Sequence, residues 1–318
     1  MRPIALKGYF RGFSLADCVL PVLIVAMAAG VGIAEPRFLS PANLASLGRQ
    51  LMPLLILSVG QAFAIIGGGL DLSLASVMSL AGIAGVLAMP RLGVPAGVAV
   101  MVLSGAACGL ASGAIIAYLA TAPLIVTLGM LSITQAGALI LANGVPIYDV
   151  PEALVSGVGF GTLLGIPVTV LIGLATLAAG WWLLAGTVFG RYVYAIGSNR
   201  AAATRSGVDV RLHTALVYVV SGLAAGIGAV VLTAWVGAAQ PVAEPTLTLQ
   251  SLAAVVLGGV ALKGGCGGML HVVYGVLILG MLSNGMNMLG ISAYYQTLAV
   301  GIVIILAVVL DRLRRGDA

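Results

Sequence analysis

Asp71 is the one acid enclosed on both sides by apolar sequence, in the run Gly67-Gly68-Gly69-Leu70-Asp71-Leu72-Ser73. A carboxyl at bilayer depth costs about 3 kcal/mol on insertion scales, so function or a close partner normally holds it there. Two roles suit such a group: proton relay in an ion-coupled carrier, and capping of a helix that starts just after it. The glycines favour the cap, because they mark a helix break whose free backbone groups need partners. Other titratable groups are few. Asp17 and His213 fall at the edges of apolar runs, and His271 falls near the start of one.

Most catalytic chemistries are missing from the sequence. No G-x-x-x-x-G-K-(S/T) phosphate loop occurs, and in Leu262-Lys263-Gly264-Gly265 no hydroxyl follows the lysine. That segment reads as a tight turn in which glycine supplies unusual backbone angles. Neither a G-x-S-x-G elbow nor a Ser–His arrangement is present. Cys18, Cys108 and Cys266 have no metal-ligand spacing and read as packing residues. The expectation is therefore no catalysis, metal or cofactor on this chain.

Uncharged amides remain. Gln61, Gln135, Asn143, Asn284, Asn287 and Gln296 lie within apolar runs and can exchange hydrogen bonds with hydroxyls without fixing a charge. Gln61, Asn143, Asn284 and Asn287 are the candidates for a solute path. Asn284 and Asn287 are three apart and share a helix face. The competing role is bonding between helices, at roughly 0.6–2 kcal/mol per bond.

The elements that position these groups are membrane helices. The chain has 318 residues, is 61% hydrophobic and only 7% charged, with a mean hydropathy of +1.19. A soluble domain is excluded, and the predicted class is an all-α polytopic membrane protein forming one domain over 1–318. Cutting at charges, prolines and polar clusters gives about ten spans, near 14–34, 44–67, 72–90, 93–120, 123–143, 163–187, 213–236, 247–262, 269–290 and 292–310. The first follows basic residues without a small-x-small site, so it reads as an uncleaved helix.

Charge orients the spans. With both termini cytoplasmic, the inside segments hold Arg2, Lys7, Arg11, Arg191, Arg200, Arg205, Arg211, Lys263, Arg312, Arg314 and Arg315. The outside segments hold Arg37, Arg49 and Arg91, with Glu35, Asp149, Glu152 and Glu244. This is the positive-inside bias, and it accounts for the net charge of +5 without nucleic acid. Gly105, Gly109 and Gly113, and likewise Gly222 and Gly226, form small-residue rows that read as close packing within one subunit.

The longest basic stretch, 188–212, then lies in the cytoplasm between the sixth and seventh spans. Ser198 or Asn199 suits an N-cap, RAAATRS a short helix and Gly207 its stop. Residues 190–210, GRYVYAIGSNRAAATRSGVDV, resemble the cytoplasmic loop of permease subunits of bacterial ATP-binding-cassette sugar importers of the ribose, xylose and arabinose type. Three further stretches agree: IGGGLDLSLASVMSLAG at 66–82, APLIVTLGMLS at 122–132, and the glycine-rich block 252–290. Ala75 stands where the family pattern has glycine, Val208 where isoleucine is common, and Lys263 and Cys266 where Ser, Thr or Arg is usual.

The resemblance, from about residue 40 onward, implies a transmembrane subunit in the bacterial inner membrane, surrounded by lipid. It implies that Ser198, Asn199, Arg200, Ala201, Ala202, Arg205, Ser206 and Gly207 form a coupling helix against an ATPase subunit, where the ATP is bound. A second permease copy, identical or related, and a periplasmic or lipid-anchored sugar-binding protein are the other implied partners. Two alternatives stay open: the same architecture for another small polar solute, such as a nucleoside or a furanone-type signal, or an ion-coupled secondary transporter.

Overall fold

The computed structural model describes residues 15–242 and 246–316. Arg2, Lys7, Arg11 and Glu244 lie outside the described residues, as do the side chains of Asp17, Arg312, Arg314 and Arg315. Helices α1 (Leu15–Ala34), α2 (Pro41–Ile66), α3 (Leu74–Leu92), α4 (Val94–Tyr118) and α5 (Pro123–Leu141) form the first half. A single turn, α6 (Glu152–Leu154), and a π turn at Val155–Gly159 follow. A two-residue ribbon, β1 (Thr162–Leu163) with β2 (Ile166–Pro167), then leads into α7 (Val168–Trp181). Next come α8 (Val188–Ser198), α9 (Arg200–Arg205), α10 (Val210–Val236), α11 (Leu247–Gly258), α12 (Met269–Met288) and α13 (Ala293–Gly316).

Every expected span coincides with a helix, but two boundaries move. The span expected from residue 163 begins at Val168, because Leu164 and Gly165 take positive φ values of 53° and 80° and close a hairpin. The one expected over 247–262 stops at Gly258, where Gly259 turns left-handed at φ 110°. At twelve residues α11 is about 18 Å long, well short of a bilayer core of about 30 Å. Among the described residues, seven helices are long and apolar enough to cross a membrane; α11 and the described apolar part of α1 are shorter.

Helix α2 is the axis of the molecule. Every residue from Leu51 to Ile66 is buried, enclosed by α7, α10, α11 and α12. Its mean hydropathy is 1.5, against 2.0 for α4 and α5, which expose most of their surface outward. A helix covered by protein tolerates the polar side chains Ser58 and Gln61, whereas an outer helix must be apolar over its outward face.

The glycine rows find each other inside the chain. A Cβ on Gly105 would strike the carbonyl of Gly222, one on Gly109 would lie 3.1 Å from the Gly222 Cα, and one on Gly226 would lie 2.7 Å from the Met101 carbonyl oxygen. Helices α4 and α10 therefore touch backbone to backbone along this seam. Gly222→Ala is expected to cost roughly 1–3 kcal/mol by overpacking and to lower the thermal midpoint of the detergent-solubilised protein by several degrees. Gly129→Ala, in α5 with nothing within 4 Å of its added methyl, leaves that midpoint unchanged or raises it.

Candidate functional site

The candidate site is built on the break between α2 and α3. Beyond Ile66 the chain turns through Gly68, whose φ is +83°, and the Gly67, Gly68 and Gly69 N–H groups are spent on the Phe63, Ile65 and Ala64 carbonyls. Asp71 is 3% exposed. Its Oδ1 accepts from the Ser73 N–H at 3.0 Å and the Ser73 hydroxyl at 2.6 Å, and its Oδ2 accepts from the Ser221 hydroxyl of α10 at 2.7 Å. Among the described residues no cation pairs with it.

Asp71 thus acts one step earlier than a cap. The N-cap of α3 is Ser73, whose own side chain makes no capping bond, and Asp71 closes the turn that leads into it. The glycine turn runs on to Ser73, which puts Asp71 two residues ahead of the cap position. The free N–H of Ala75 is met from elsewhere: Thr248 Oγ1 of α11 accepts it at 3.0 Å. The Thr134 hydroxyl of α5 donates to Ser76 Oγ at 2.8 Å, so α5, α10 and α11 together hold the start of α3.

The basic loop is equally specified. Asn199 ends α8 in extended backbone, and its Oδ1 accepts the Ala202 N–H at 2.9 Å to cap α9. At the other end the Gly207 N–H reaches the Thr204 carbonyl and the Val208 N–H reaches the Ala203 carbonyl, with Gly207 at φ +81°. This is the double-bonded glycine stop that satisfies two orphan carbonyls. Ala203 is the inward residue, packed with Ile196 and Val210 in a small separate core. Ser198, Arg200, Ala201, Arg205, Ser206 and Gly207 are exposed, and Ala202 is half-buried.

A third segment joins the two. The turn 259–268 after α11 sets Gly264, Gly265 and Gly267 at φ +85°, +73° and +124°, so the tight turn expected at Leu262-Lys263-Gly264-Gly265 is present and runs on to Gly267. The Gly265 N–H donates to the Ile66 carbonyl at 2.8 Å, the last carbonyl of α2. A Cβ on Gly264 would lie 2.9 Å from the Gly68 Cα and 3.1 Å from the Gly197 Cα, and one on Gly265 would lie 2.7 Å from the Ser198 Cα. The Tyr194 hydroxyl of α8 donates to the Gly267 carbonyl at 2.7 Å. Helix break, basic loop and glycine turn therefore meet backbone to backbone, while Lys263 and Cys266 stay exposed. A small cleft beside this junction is lined by Gly67, Gly69, Pro123, Arg200, His213 and Tyr218.

The four candidate path residues are not brought together. Asn284 is buried, but its amide pairs with Asn43 of α2 at 3.0 Å, the interhelical role weighed against a solute path. Asn287 is exposed. Asn143, also exposed, takes φ +51° one residue past the end cap of α5 and serves to stop that helix. Gln61 alone lies deep in the core, 0% exposed, with neither amide atom partnered.

The family described as branched-chain amino acid transport system / permease component matches residues 43–308. The chain belongs to this permease family. Among curated relatives, the ribose import permease protein of Haemophilus influenzae is 35% identical over 294 residues, covering 91% of each chain. The D-allose transport system permease protein of Escherichia coli K12 is 33% identical, covering 92% of this permease and 90% of its own length. The L-arabinose ABC transporter permease protein of Azospirillum brasilense is 33% identical, covering 93% and 87%. No solved structure matches the permease.

The Asp71 geometry separates its two roles. Asp71→Ala leaves buried donors unmet at roughly 1–3 kcal/mol each and is expected to destabilise the fold strongly. Asp71→Asn keeps an acceptor for Ser73 and a partner for Ser221. Uptake by Asp71→Asn within about twofold of wild type, with a thermal midpoint close to wild type, is the expected result; a proton relay would instead lose uptake.

Proposed function

We propose that this permease is the transmembrane subunit of an ATP-binding-cassette importer and forms the path for a monosaccharide, a pentose or a related sugar. Its relatives named for ribose, allose and arabinose support the solute class. All ten helical spans cross or enter the bacterial inner membrane, with both termini cytoplasmic. In that arrangement α8, α9 and the turn 259–268 face the cytoplasm with Arg191, Arg200, Arg205, Arg211 and Lys263.

Helix α9 docks on an ATPase subunit, which binds the ATP. Its short side chains, Ala201 and Ala202, permit close approach, and Arg200 and Arg205 orient it. A periplasmic or lipid-anchored binding protein delivers sugar from outside, and a second permease copy completes the path. ATP-driven displacement of α9 would switch access as a rigid-body movement of helices.

The observation that carries this assignment is the backbone contact at Gly68, Gly197 and Gly264. A push on α9 reaches α8, and α8 lies directly on the end of α2 with no side chain between to absorb the motion. Two variants test the two halves of the reading in the co-expressed importer. Ala202→Glu, a charge on the docking surface, is expected to abolish co-purification of the ATPase subunit. Gly197→Ala, whose methyl would strike the Ile66 carbonyl, is expected to keep the ATPase bound but to lower uptake at least tenfold. A permease that purifies alone and moves sugar in vesicles without ATP would reject the importer reading.

A further inference from the structure

A second cavity lies beside the middle of α2, among α2, α10, α11, α12 and α13. It holds about 280 Å³ and is bordered by Gln50, Trp235, Gln240, Gln250 and Ser283 on apolar walls. Ligand pockets for drug-sized molecules run from roughly 300 to 1,000 Å³, so this one suits a smaller solute. Among the described residues no Asp, Glu, Lys or Arg lines it. Three carboxamides and a hydroxyl supply neutral donors and acceptors, and the Trp235 ring supplies an apolar face. That donor set matches a neutral, polyhydroxylated ring with an apolar C–H face. It does not match a zwitterion, whose two charges would lack partners.

Inward from the cavity, the α2 face that carries Gln50 also carries Gln61. Gln50 and Gln61 are eleven residues apart on α2, which at 100° per residue places them about 20° apart around the helix and about 16 Å apart along it. Gln61 is fully buried, and both its amide atoms lack partners, as does the hydroxyl of Ser58 one turn away. A buried amide without partners opposes folding, and an apolar residue of the same shape would be tolerated there or preferred. Its presence on the line between cavity and junction is explained if it is met during transport.

We propose that this cavity is a site for a neutral polyhydroxylated solute within the single permease chain, and that Gln61 is the next hydrogen-bonding station inward. The proposal rests on the sugar-permease reading above and adds the residues that take the sugar. Gln50, Gln250 and Ser283 bond hydroxyls in the outer cavity, Trp235 covers the ring, and Gln61 receives the solute as the path opens toward the break.

The test uses the importer reconstituted in vesicles with its ATPase and binding protein, with radiolabelled D-ribose, D-allose, L-arabinose and L-leucine as probes. For a sugar that wild type transports, Gln250→Leu and Gln50→Leu are expected to lower uptake at least tenfold while ATPase co-purification stays intact. Gln61→Leu is expected to raise the thermal midpoint and yet lower the maximal uptake rate at least fivefold, a split that a structural role would not produce. In the permease purified without its partners, Trp181→Phe and Trp182→Phe leave Trp235 as its sole tryptophan, and saturable quenching by that sugar and none by L-leucine is expected. Normal uptake in all three glutamine variants would overturn the cavity proposal while leaving the importer reading standing. L-leucine uptake with no uptake of any sugar would overturn both.

Discussion

Everything in this fold answers to one requirement: a helix broken inside an apolar surround must find internal partners for the backbone groups it releases. The break at 67–73 meets it from four directions. The last carbonyl of α2 takes the Gly265 N–H, the Asp71 carboxyl gathers Ser73 and Ser221, and the Ala75 N–H in the first turn of α3 is met by Thr248. The hydroxyls of Ser76 and Thr134 complete the set. The partners from outside the break come from α5, α10, α11 and the glycine turn, so the break is where these are pinned to one another. Its three glycines are a cost in chain entropy that a continuous helix would avoid.

Helix α11 gains its meaning from that arrangement. It is too short to cross a bilayer, yet it links the cavity, the start of α3 and the glycine turn. Leu247 and Gln250 in its first turn line the cavity, Thr248 between them caps α3, and its C-terminal end leads into the turn that meets Gly68 and Gly197. A displacement of the glycine turn cannot leave the cavity wall where it was, because a twelve-residue helix is a rigid rod on this scale. Solute site and basic loop are therefore joined by two parallel struts, α2 and α11.

Local signals were legible in the sequence, and distant ones were not. The caps of α9, Asn199 and Gly207, follow from residue type because the atoms they satisfy lie within a few residues. The paired glycine rows of α4 and α10 were recognisable as packing surfaces because a spacing of four repeats along one face. By contrast, Thr248 lies 173 residues from the N–H it caps, and Asn284 lies 241 residues from Asn43, its partner. No periodicity reveals such pairs. The cavity was missed for the same reason: Gln50, Gln240 and Gln250 stand near span ends, where an amide looks like ordinary solvated edge. Gln61 was legible as polar within an apolar run, but its lack of partners is a property of the packed state alone.

The two kinds of glycine contact divide the molecule into a part that stays and a part that can move. Between α4 and α10 the contact repeats over several turns, at Gly105, Gly109, Gly113, Gly222 and Gly226, and shifting it would unseat a whole seam at once. At the junction of α2, α8 and the glycine turn the contact is a single crossing, fixed by the Gly265–Ile66 and Tyr194–Gly267 bonds. Displacing that crossing breaks only these few bonds. A transporter needs such a boundary, because bistable packing rather than smooth bending converts a small push into a defined second state. In the coupling proposed for α9, placing the weak crossing beside the basic loop and the strong seam away from it would let a push on α9 act on α2 and α11 before it disturbs the scaffold.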